Sequence, residues 1–306
     1  MSELSNLDPQ FPRAWDSTIH SAWKTCKRKF FERHVLGFRS MGNSIHLVAG
    51  GAFASGVEAT RKAFYGDGLD PDLAIGKGLV ALALKWGDDP LVEPEHPKSM
   101  QHMADALVRY FDKYRLGEDR LRPMMLGGKP AVECNFAFPL DIKHPVTGEP
   151  ILYCGRFDML AEDDGIGFGV DEKTTGQLGP TWGNKWDLRA QFTGYTLGAR
   201  TYGVNIAGFV VRGVALYKND IGFAEAIVQR PQWMIDEWLE GLHLDIADAI
   251  RAFEMMKFPK VFDDACAGFS GCAYLRLCTT PDPEPFRKVY YEQDRWDPLD
   301  FGKEGD

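Results

Sequence analysis

The chain has 306 residues, of which 44% are hydrophobic and 26% are charged, as in an ordinary globular protein with a real core. No apolar run approaches the length of a membrane-spanning helix, and the N-terminus is acidic rather than signal-like. We therefore exclude a membrane protein and expect a soluble, cytoplasmic one. The net charge of −9 neither supports nor excludes a nucleic-acid partner, because binding needs only a local basic groove.

Helical patterns dominate the first 120 residues. The spacing of apolar residues predicts helices over 15–36 with a cap at Ser17 or Thr18, over 48–64, over 71–85 with a cap at Asp70, and over 97–115. In the first helix, basic residues interleave with Phe30 and Phe31, which is typical of a solvated helix with buried aromatic rings or of one wall of a nucleic-acid channel. The candidates for a basic groove are Lys24, Lys27, Arg28, Lys29, Arg33, Arg61 and Lys62.

Strand patterns follow a Gly-, Pro- and Met-rich loop over 117–130. A meander of strands is predicted over 131–140, 151–160 and 166–174, then a helix over 185–202, strands over 207–217 and 223–228, and a long amphipathic helix over 231–256. Asp164-Gly165 separates the second and third strands, and Asp-Gly between β-prone runs is a strong hairpin signal. From the helix that holds Glu58, the order is α, further helices, βββ, α, β, which predicts an α/β fold.

The hairpin predicts a cluster of charged side chains at one end. Folding about the turn brings Asp158 close to a diagonal partner of Asp171. Because side chains alternate along a strand, Asp171 and Lys173 point to one face, and Val170 and Glu172 point to the other. Two carboxylates this close repel unless a cation lies between them, and oxygen ligands suit Mg²⁺ or Mn²⁺. The alternative interpretation is a surface ion-pair cluster.

Three short motifs occur one after another along the predicted strands and the helix that follows them. They are Gly155-Arg156-Phe157-Asp158, Asp171-Glu172-Lys173 and Gln191-Phe192-Thr193-Gly194-Tyr195, and in the last motif Gln191 and Tyr195 share a helix face. Each motif alone is weak. In this order and on these predicted elements, they resemble the PD-(D/E)XK nuclease superfamily and, within it, the RecB-like branch.

The resemblance implies a fold and a set of site residues. The fold would be a PD-(D/E)XK core with a mixed central sheet in the order αβββαβ, a helical N-terminal lobe and a Cys-rich C-terminal segment. Asp158 and Asp171 would bind the divalent cation and Glu172 would offer its backbone carbonyl. Lys173 would lie beside the attacking water. The resemblance further implies that Gln191 and Tyr195 contact the DNA backbone.

A residue on the first core helix also matches the superfamily. Glu58 corresponds to its acidic residue there, and would act as a third metal ligand or as a group behind the ligands. Many RecB-like members have a histidine shortly before this acid, and Ala54 stands at that position here. The departure removes a ligand and keeps open a second interpretation, in which the chain is a catalytically weak or inactive DNA-binding subunit of a recombination complex.

Four of the six cysteines form a separate pattern. Cys266, Cys272 and Cys278 lie within thirteen residues and Cys26 is far upstream, whereas Cys134 and Cys154 fall in predicted strands and are expected to be buried. Four thiolates suit Zn²⁺ or an iron–sulfur cluster, and five-residue gaps fit zinc spacing poorly. The arrangement resembles iron–sulfur RecB-like nucleases of the AddB and CRISPR-adaptation types, which implies a 4Fe-4S cluster, although their first two C-terminal cysteines are closer together. Zinc and unligated cysteines stay open.

The domain prediction follows from these assignments. Residues 14–120 would form the helical lobe with Cys26 and Glu58, residues 121–230 the core sheet with the Gln191 helix, and residues 231–306 the C-terminal helix and cysteine segment, all within one nuclease domain. The predicted function is a Mg²⁺- or Mn²⁺-dependent DNA exonuclease that acts on ends or single strands in recombination, repair or phage DNA processing, with a possible helicase or recombination partner. A third hypothesis is a zinc-stabilised protein unrelated to DNA.

Overall fold

The computed structural model describes residues 7–42, 44–87, 92–93, 96–268 and 271–300. The helices are α1 (Ser17–Thr25), α2 (Lys27–Phe30), α3 (Ile45–Arg61), α4 (Pro71–Trp86), α5 (Met100–Lys113), α6 (Ala190–Arg200), α7 (Gln232–Glu254), α8 (Leu275–Cys278) and α9 (Glu284–Tyr290). The strands are β1 (Ala14–Trp15), β2 (Phe38–Ser40), β3 (Arg122–Pro123), β4 (Met125–Leu126), β5 (Lys129–Pro130), β6 (Val132–Lys143), β7 (Pro150–Asp163), β8 (Ile166–Thr175), β9 (Ile206–Leu216), β10 (Ile221–Val228) and β11 (Tyr291–Gln293). The α/β fold is therefore confirmed. None of the helices in the described ranges combines the length and apolar character that a membrane span requires.

The chain divides into two units. The first unit contains Met1–Gly42, Ala137–Gly155 and Gln232–Asp306, and the second contains Asn43–Phe136 and Arg156–Pro231. Strands β6 and β7 each begin in one unit and end in the other. The assignment of separate roles to residues 14–120, 121–230 and 231–306 stays a prediction.

The second unit is built on a mixed sheet. Strand β8 pairs antiparallel with β7 and parallel with β9, β10 is antiparallel to β9, and β3 is antiparallel to β7. The β7–β8 turn holds Asp164 at φ 49° and Gly165 at φ 80°, the paired left-handed residues of a two-residue hairpin turn. The predicted hairpin and the predicted mixed sheet are both confirmed.

Helices α3, α4 and α5 share one core with the strands of this unit. Phe53, Leu82 and Leu107 are buried there together with Val214 of β9. The Asp70 side chain accepts a hydrogen bond from the Leu73 N–H at 3.1 Å, which confirms the predicted cap of α4. This helical layer carries Glu58 and Arg61 on α3.

Glycine allows α3 and α4 to cross closely, and a pair of substitutions tests this. A Cβ built at Gly78 would lie 1.9 Å from Thr60 Oγ1 and 2.7 Å from the Gly56 carbonyl oxygen, whereas one at Gly76 meets nothing within 4 Å. We expect Gly78→Ala to lower the free energy of unfolding by about 1–3 kcal/mol through overpacking. We expect Gly76→Ala to raise it by about 0.5–1 kcal/mol through helix propensity. Urea unfolding of both variants measures the difference, and equal effects would contradict the close crossing.

In the first unit, the predicted single helix over 15–36 is wrong. Helix α1 ends at Thr25, Cys26 is extended at φ −165° and ψ 118°, and α2 leads into a π-helical turn, Phe31–Val35. An unbroken helix would separate Trp23 and Phe30 by about 10 Å along its axis. The break instead brings their rings to 5.2 Å, so the core contact outweighs helical continuity. The cap is also not Ser17 or Thr18, because the Asp16 carboxylate accepts from the Ile19 N–H at 2.7 Å.

The predicted helix over 185–202 begins later than expected. Gly183–Trp186 is a 3₁₀ turn, Arg189 is extended at ψ 114°, and only then does α6 start. The turn buries Trp182 and Trp186 with their ring centroids 5.5 Å apart. The predicted loop over 117–130 also contains the short strands β3, β4 and β5.

Candidate active site

Asp158 and Asp171 face each other across the β7–β8 hairpin in the second unit. The last regular pair of the ladder is Met159 with Val170, and the two aspartates each lie one residue beyond it. The register therefore places them directly opposite each other rather than on the diagonal that the sequence indicated. On adjacent antiparallel strands, opposite side chains point to the same face.

Two hydrogen bonds and an ion pair hold these carboxylates. Asp158 Oδ2 accepts from the Glu172 backbone N–H at 3.0 Å. Asp171 Oδ1 accepts from Gln191 Nε2 at 2.8 Å, and Lys173 Nζ lies 2.6 Å from Asp171 Oδ2. The structure therefore brings Asp158, Asp171, Lys173 and Gln191 together, as the sequence predicted.

The electrostatics of the pair are those of two carboxylates kept from water. Burial raises the pKa of Asp158 well above its usual value, and the Asp171 charge raises it further. Burial also raises the pKa of Asp171, against the opposing effect of Lys173. Burial alone would lower the pKa of Lys173, but the Asp171 and Asp158 charges outweigh it, so the net shift is upward. Lys173 is therefore protonated at neutral pH.

Glu172 points away from this site and is held by a different set of partners. Arg61 Nη2 lies 2.5 Å from Glu172 Oε1, and the Tyr110 hydroxyl donates to the same oxygen at 2.6 Å. The Arg61 and Glu172 side chains are each only 4% exposed. The prediction that Arg61 lines a basic groove is wrong, because this buried carboxylate neutralises it. The alternation of Glu172 and Lys173 across the strand agrees with the pleat.

Tyr195 lies on α6 one turn after Gln191. Its ring packs edge-on against Phe136 and Phe157, with centroids 5.3 Å from each. Burial raises the pKa of Tyr195, and the Asp158 and Asp171 charges add to the shift. Tyr195 thus connects α6 to the strand that carries Asp158.

Glu58 on α3 and Glu133 on β6, a residue that the sequence analysis missed, influence the site through their charges. Glu58 pairs with Lys62 one helical turn away. Its charge raises the pKa of Glu133 on β6, whose own charge raises the pKa of Asp158. A charged residue among apolar neighbours in a strand was the available signal for Glu133.

The donor set fits a divalent cation. Asp171 Oδ2 is buried and makes no hydrogen bond, although it pairs with the Lys173 ammonium, and the two carboxylates disfavour each other's charge. Such oxygens are ligands of the kind that Mg²⁺ and Mn²⁺ prefer. Over the ranges that the structure describes, no three His, Cys, Asp or Glu side chains are close enough together to hold an ion by themselves. Water and substrate oxygens would complete the coordination of a cation bound here.

The four predicted cluster cysteines all belong to the first unit, but in the part of the chain that the structure describes they do not form a group of three or more that could hold a metal ion. Cys26, Cys266, Cys272 and Cys278 are half-buried free thiols. Partial burial raises the pKa of both Cys266 and Cys278, and the Cys26 and Cys272 charges raise both further. Cys154 is buried as predicted, whereas Cys134 is half-buried.

The basic residues over 24–33 are largely paired within the first unit. Lys27 pairs with Asp248, Arg28 with Glu32, and Arg33 with Asp294. Phe30 and Phe31 are buried, as a solvated helix with an aromatic inner face predicts. The pairs favour that interpretation of this segment over a channel wall.

The chain is similar to one protein-family model and to solved structures of low sequence identity. The model of the PD-(D/E)XK nuclease superfamily matches residues 18–279. A solved structure of a candidate exonuclease from Eubacterium rectale is similar at 12% identity and a TM-score of 0.44, over 88% of this chain and 94% of that one. A second, the protein SSO0001, is similar at 12% identity and a TM-score of 0.31, over 75% and 84%. No curated protein matches the chain. Since the superfamily model spans most of its length, the chain belongs to the PD-(D/E)XK nuclease superfamily.

Proposed function

We propose that the protein is a Mg²⁺- or Mn²⁺-dependent DNA nuclease of the RecB-like branch, acting as an exonuclease on ends or single strands in recombination, repair or phage DNA processing. The observation that carries this proposal is Asp158 opposite Asp171, with Lys173 Nζ 2.6 Å from Asp171 Oδ2. A surface ion-pair cluster does not explain this arrangement, because Asp171 is 2% exposed. Membership of a nuclease superfamily supports the reaction class.

Each residue of the site would have a separate role in the reaction. Asp158 and Asp171 would hold the cation, with Glu172 offering its backbone carbonyl and Glu58 acting from behind. When bound, a divalent cation activates water and neutralises charge on the phosphate and the leaving oxygen. Lys173, protonated because of the carboxylates beside it, would donate to the attacking water or to a phosphate oxygen rather than remove a proton. Gln191 would fix the orientation of Asp171, to which it donates.

The test is an assay on end-labelled DNA. We expect linear single- or double-stranded DNA to be degraded with Mn²⁺ or Mg²⁺ and not with EDTA, and circular DNA to resist. Cleavage of circles would replace the exonuclease with an endonuclease. Binding without cleavage under any metal would favour the non-catalytic DNA-binding subunit, which Ala54 at the histidine position keeps as the second candidate. A protein that neither binds nor cleaves DNA would overturn both the nuclease and the DNA-binding subunit.

We propose further that Cys26, Cys266, Cys272 and Cys278 hold a 4Fe-4S cluster. The support is the cysteine pattern of the sequence, the effects of the Cys26 and Cys272 charges on Cys266 and Cys278, and the cations beside Cys278. The Arg28 and Lys260 charges oppose the rise in the pKa of Cys278, and Lys260 Nζ donates to the Cys278 carbonyl at 2.7 Å. Cationic and hydrogen-bonding neighbours stabilise a negatively charged thiolate-ligated cluster.

Metal analysis of protein purified without oxygen tests this cluster. We expect a brown protein with about four iron atoms and four sulfides per chain. Cys272→Ser should lose the colour and most of the iron. Cys134→Ser is the matched control, since Cys134 lies in the second unit, and it should retain both. A colourless wild-type protein that carries one zinc ion would instead support a zinc site.

A further inference from the structure

An ion pair next to the candidate site has no role in the function proposed above. Glu133 Oε2 lies 2.6 Å from Arg156 Nε. The Glu133 side chain is 8% exposed and the Arg156 side chain is 35% exposed. One partner is therefore buried as an anchor while the other reaches solvent. Both residues belong to the second unit, as do Asp158 and Asp171.

The backbone at Glu133 is unusual for a strand. Its φ is +55°, in the left-handed region that non-glycine residues rarely adopt, although it lies inside β6. Strand β6 pairs with β7, and just before β6 begins, the Leu160 N–H donates to the Ala131 carbonyl at 2.9 Å. A left-handed residue in a strand changes the direction in which its side chain leaves the sheet. Here the change directs the carboxylate of Glu133 to Arg156.

In the Glu133–Arg156 pair, Arg156 is close to Asp158 in the chain and Glu133 affects it electrostatically. Arg156 precedes Asp158 by two residues on β7, so their side chains leave the strand on the same side. The Glu133 charge acts on Asp158. Burial raises the pKa of Glu133 itself to about 7, against the effect of Arg156, and the Glu58 charge adds to the rise. Glu133 therefore lies within the electrostatic reach of both Asp158 and Glu58.

A structural role alone explains this arrangement poorly. A buried ion pair contributes little stability compared with apolar side chains of similar volume, and strained backbone is found mostly where function requires it. Arginine, by contrast, presents a planar fork of donors that matches a phosphate, and it does so best when a carboxylate fixes the guanidinium plane. The partial exposure of Arg156 leaves room for such a ligand.

We infer that Arg156 contacts a backbone phosphate of the bound DNA strand and that Glu133 is the positioning residue that holds its guanidinium. This inference rests on the proposed nuclease function and adds a substrate contact to it. Arg156 would fix the position of the DNA strand relative to Asp158, which lies two residues farther along β7. Glu133 would not touch the substrate.

The first test measures DNA binding in the Asp171→Asn background, with a fluorescent single-stranded oligonucleotide and Mg²⁺ at several salt concentrations. One lost phosphate contact lowers the slope of log K against log salt by about 0.7. We expect this loss in Arg156→Gln and recovery of the slope in Arg156→Lys, which keeps the charge. Arg120→Gln is the control, because Arg120 is exposed and pairs with Asp163 near the other end of the hairpin. An unchanged slope in Arg156→Gln would overturn the inference.

The second test measures cleavage kinetics with the aspartates intact. We expect Arg156→Gln to lower kcat/KM by about 10²-fold, and Arg156→Lys to regain little of it because lysine lacks the fork. Glu133→Gln should lower kcat about tenfold with little change in KM and no change in the salt slope, since it disturbs orientation rather than contact. Equal melting temperatures show that folding is intact. Full activity in Arg156→Gln would overturn the inference.

The two tests separate this inference from the proposed function. A wild-type protein that cleaves no DNA with any metal, but whose Arg156→Gln variant still loses one contact in the salt slope, would overturn the nuclease function and support the phosphate contact. Metal-dependent cleavage that Arg156→Gln leaves unchanged, with an unchanged slope, would support the nuclease and overturn the contact.

Discussion

Replacing Asp171 with asparagine is expected to lower metal-dependent DNA cleavage by about 10³-fold or more, because the cation would lose a ligand and Lys173 its partner. Lys173→Met should lower it by about 10²-fold, since a positioned cation is removed and the carboxylates remain. Initial rates on end-labelled linear DNA at saturating Mn²⁺ measure both effects. Retention of more than a tenth of the wild-type rate in Asp171→Asn would rule out Asp171 as a metal ligand.

The control for this prediction lies in the same hairpin. Asp164 is an exposed turn residue at φ 49°, a conformation that asparagine adopts readily, so Asp164→Asn should cleave like the wild type. It removes the same charge from the chain at the far end of the strand pair. Loss of activity in this variant as well would indicate a general effect of charge rather than a role of Asp171.

Asp171→Asn should lower activity without lowering the stability of the metal-free protein. Asp158 has a pKa that is raised in the folded protein by burial and by Asp171. A carboxyl of this kind releases its proton more readily in the unfolded chain, so the metal-free protein loses stability as pH rises towards the folded-state pKa. Removing one of the two carboxylate charges reduces this loss of stability. We therefore expect the melting temperature of metal-free Asp171→Asn at neutral pH to be no lower than that of the wild type.

Replacing Arg61 with methionine is expected to lower the free energy of unfolding by about 3–5 kcal/mol, because it leaves the Glu172 carboxylate buried without its cation. The remaining partner is the Tyr110 hydroxyl, which also accepts from Arg212 Nη1 at 3.4 Å. Arg212 in turn makes two hydrogen bonds to the Asp119 carboxylate, at 2.7 and 3.0 Å. The network joins α3 and α5 to β8 and β9, so its loss should destabilise the sheet as well as the helices.

Two further variants make the Arg61 prediction specific. Arg109→Met removes an arginine from an exposed pair with Asp220, where the side chains are 53% and 70% exposed, and should cost less than about 1 kcal/mol. The double variant Arg61→Met/Glu172→Met should recover much of the lost stability, because it removes the unpaired charge. Urea unfolding of all three decides the matter. A double variant as unstable as Arg61→Met would mean that lost packing, and not a stranded carboxylate, explains the effect.

The secondary structure shows where local patterns suffice. The helix α4, the β7–β8 hairpin and the strands β9 and β10 lie where periodicity and turn residues predict them. The helices predicted over 15–36 and 185–202 are interrupted, at Cys26 and before Ala190. At Cys26 the break brings the rings of Trp23 and Phe30 to 5.2 Å, and this packing outweighs what the backbone gains from continuing the helix. Before Ala190, a 3₁₀ turn that buries Trp186 takes the place of the first turn of the predicted helix.

The sequence by itself determined the superfamily, the hairpin and the placing of Asp158, Asp171 and Lys173 on one side of it, because strand alternation and an Asp-Gly turn are local properties of the chain. Only the tertiary structure decided which charges are buried and what they meet. Arg61 looked like a basic surface residue and lies against Glu172, 111 residues away. Glu133 carried no motif, and it reaches Arg156 and the field of Asp158 through a backbone angle that no pattern of residues indicates. Burial and pairing depend on contacts between distant segments, and those contacts decide the electrostatics of the site.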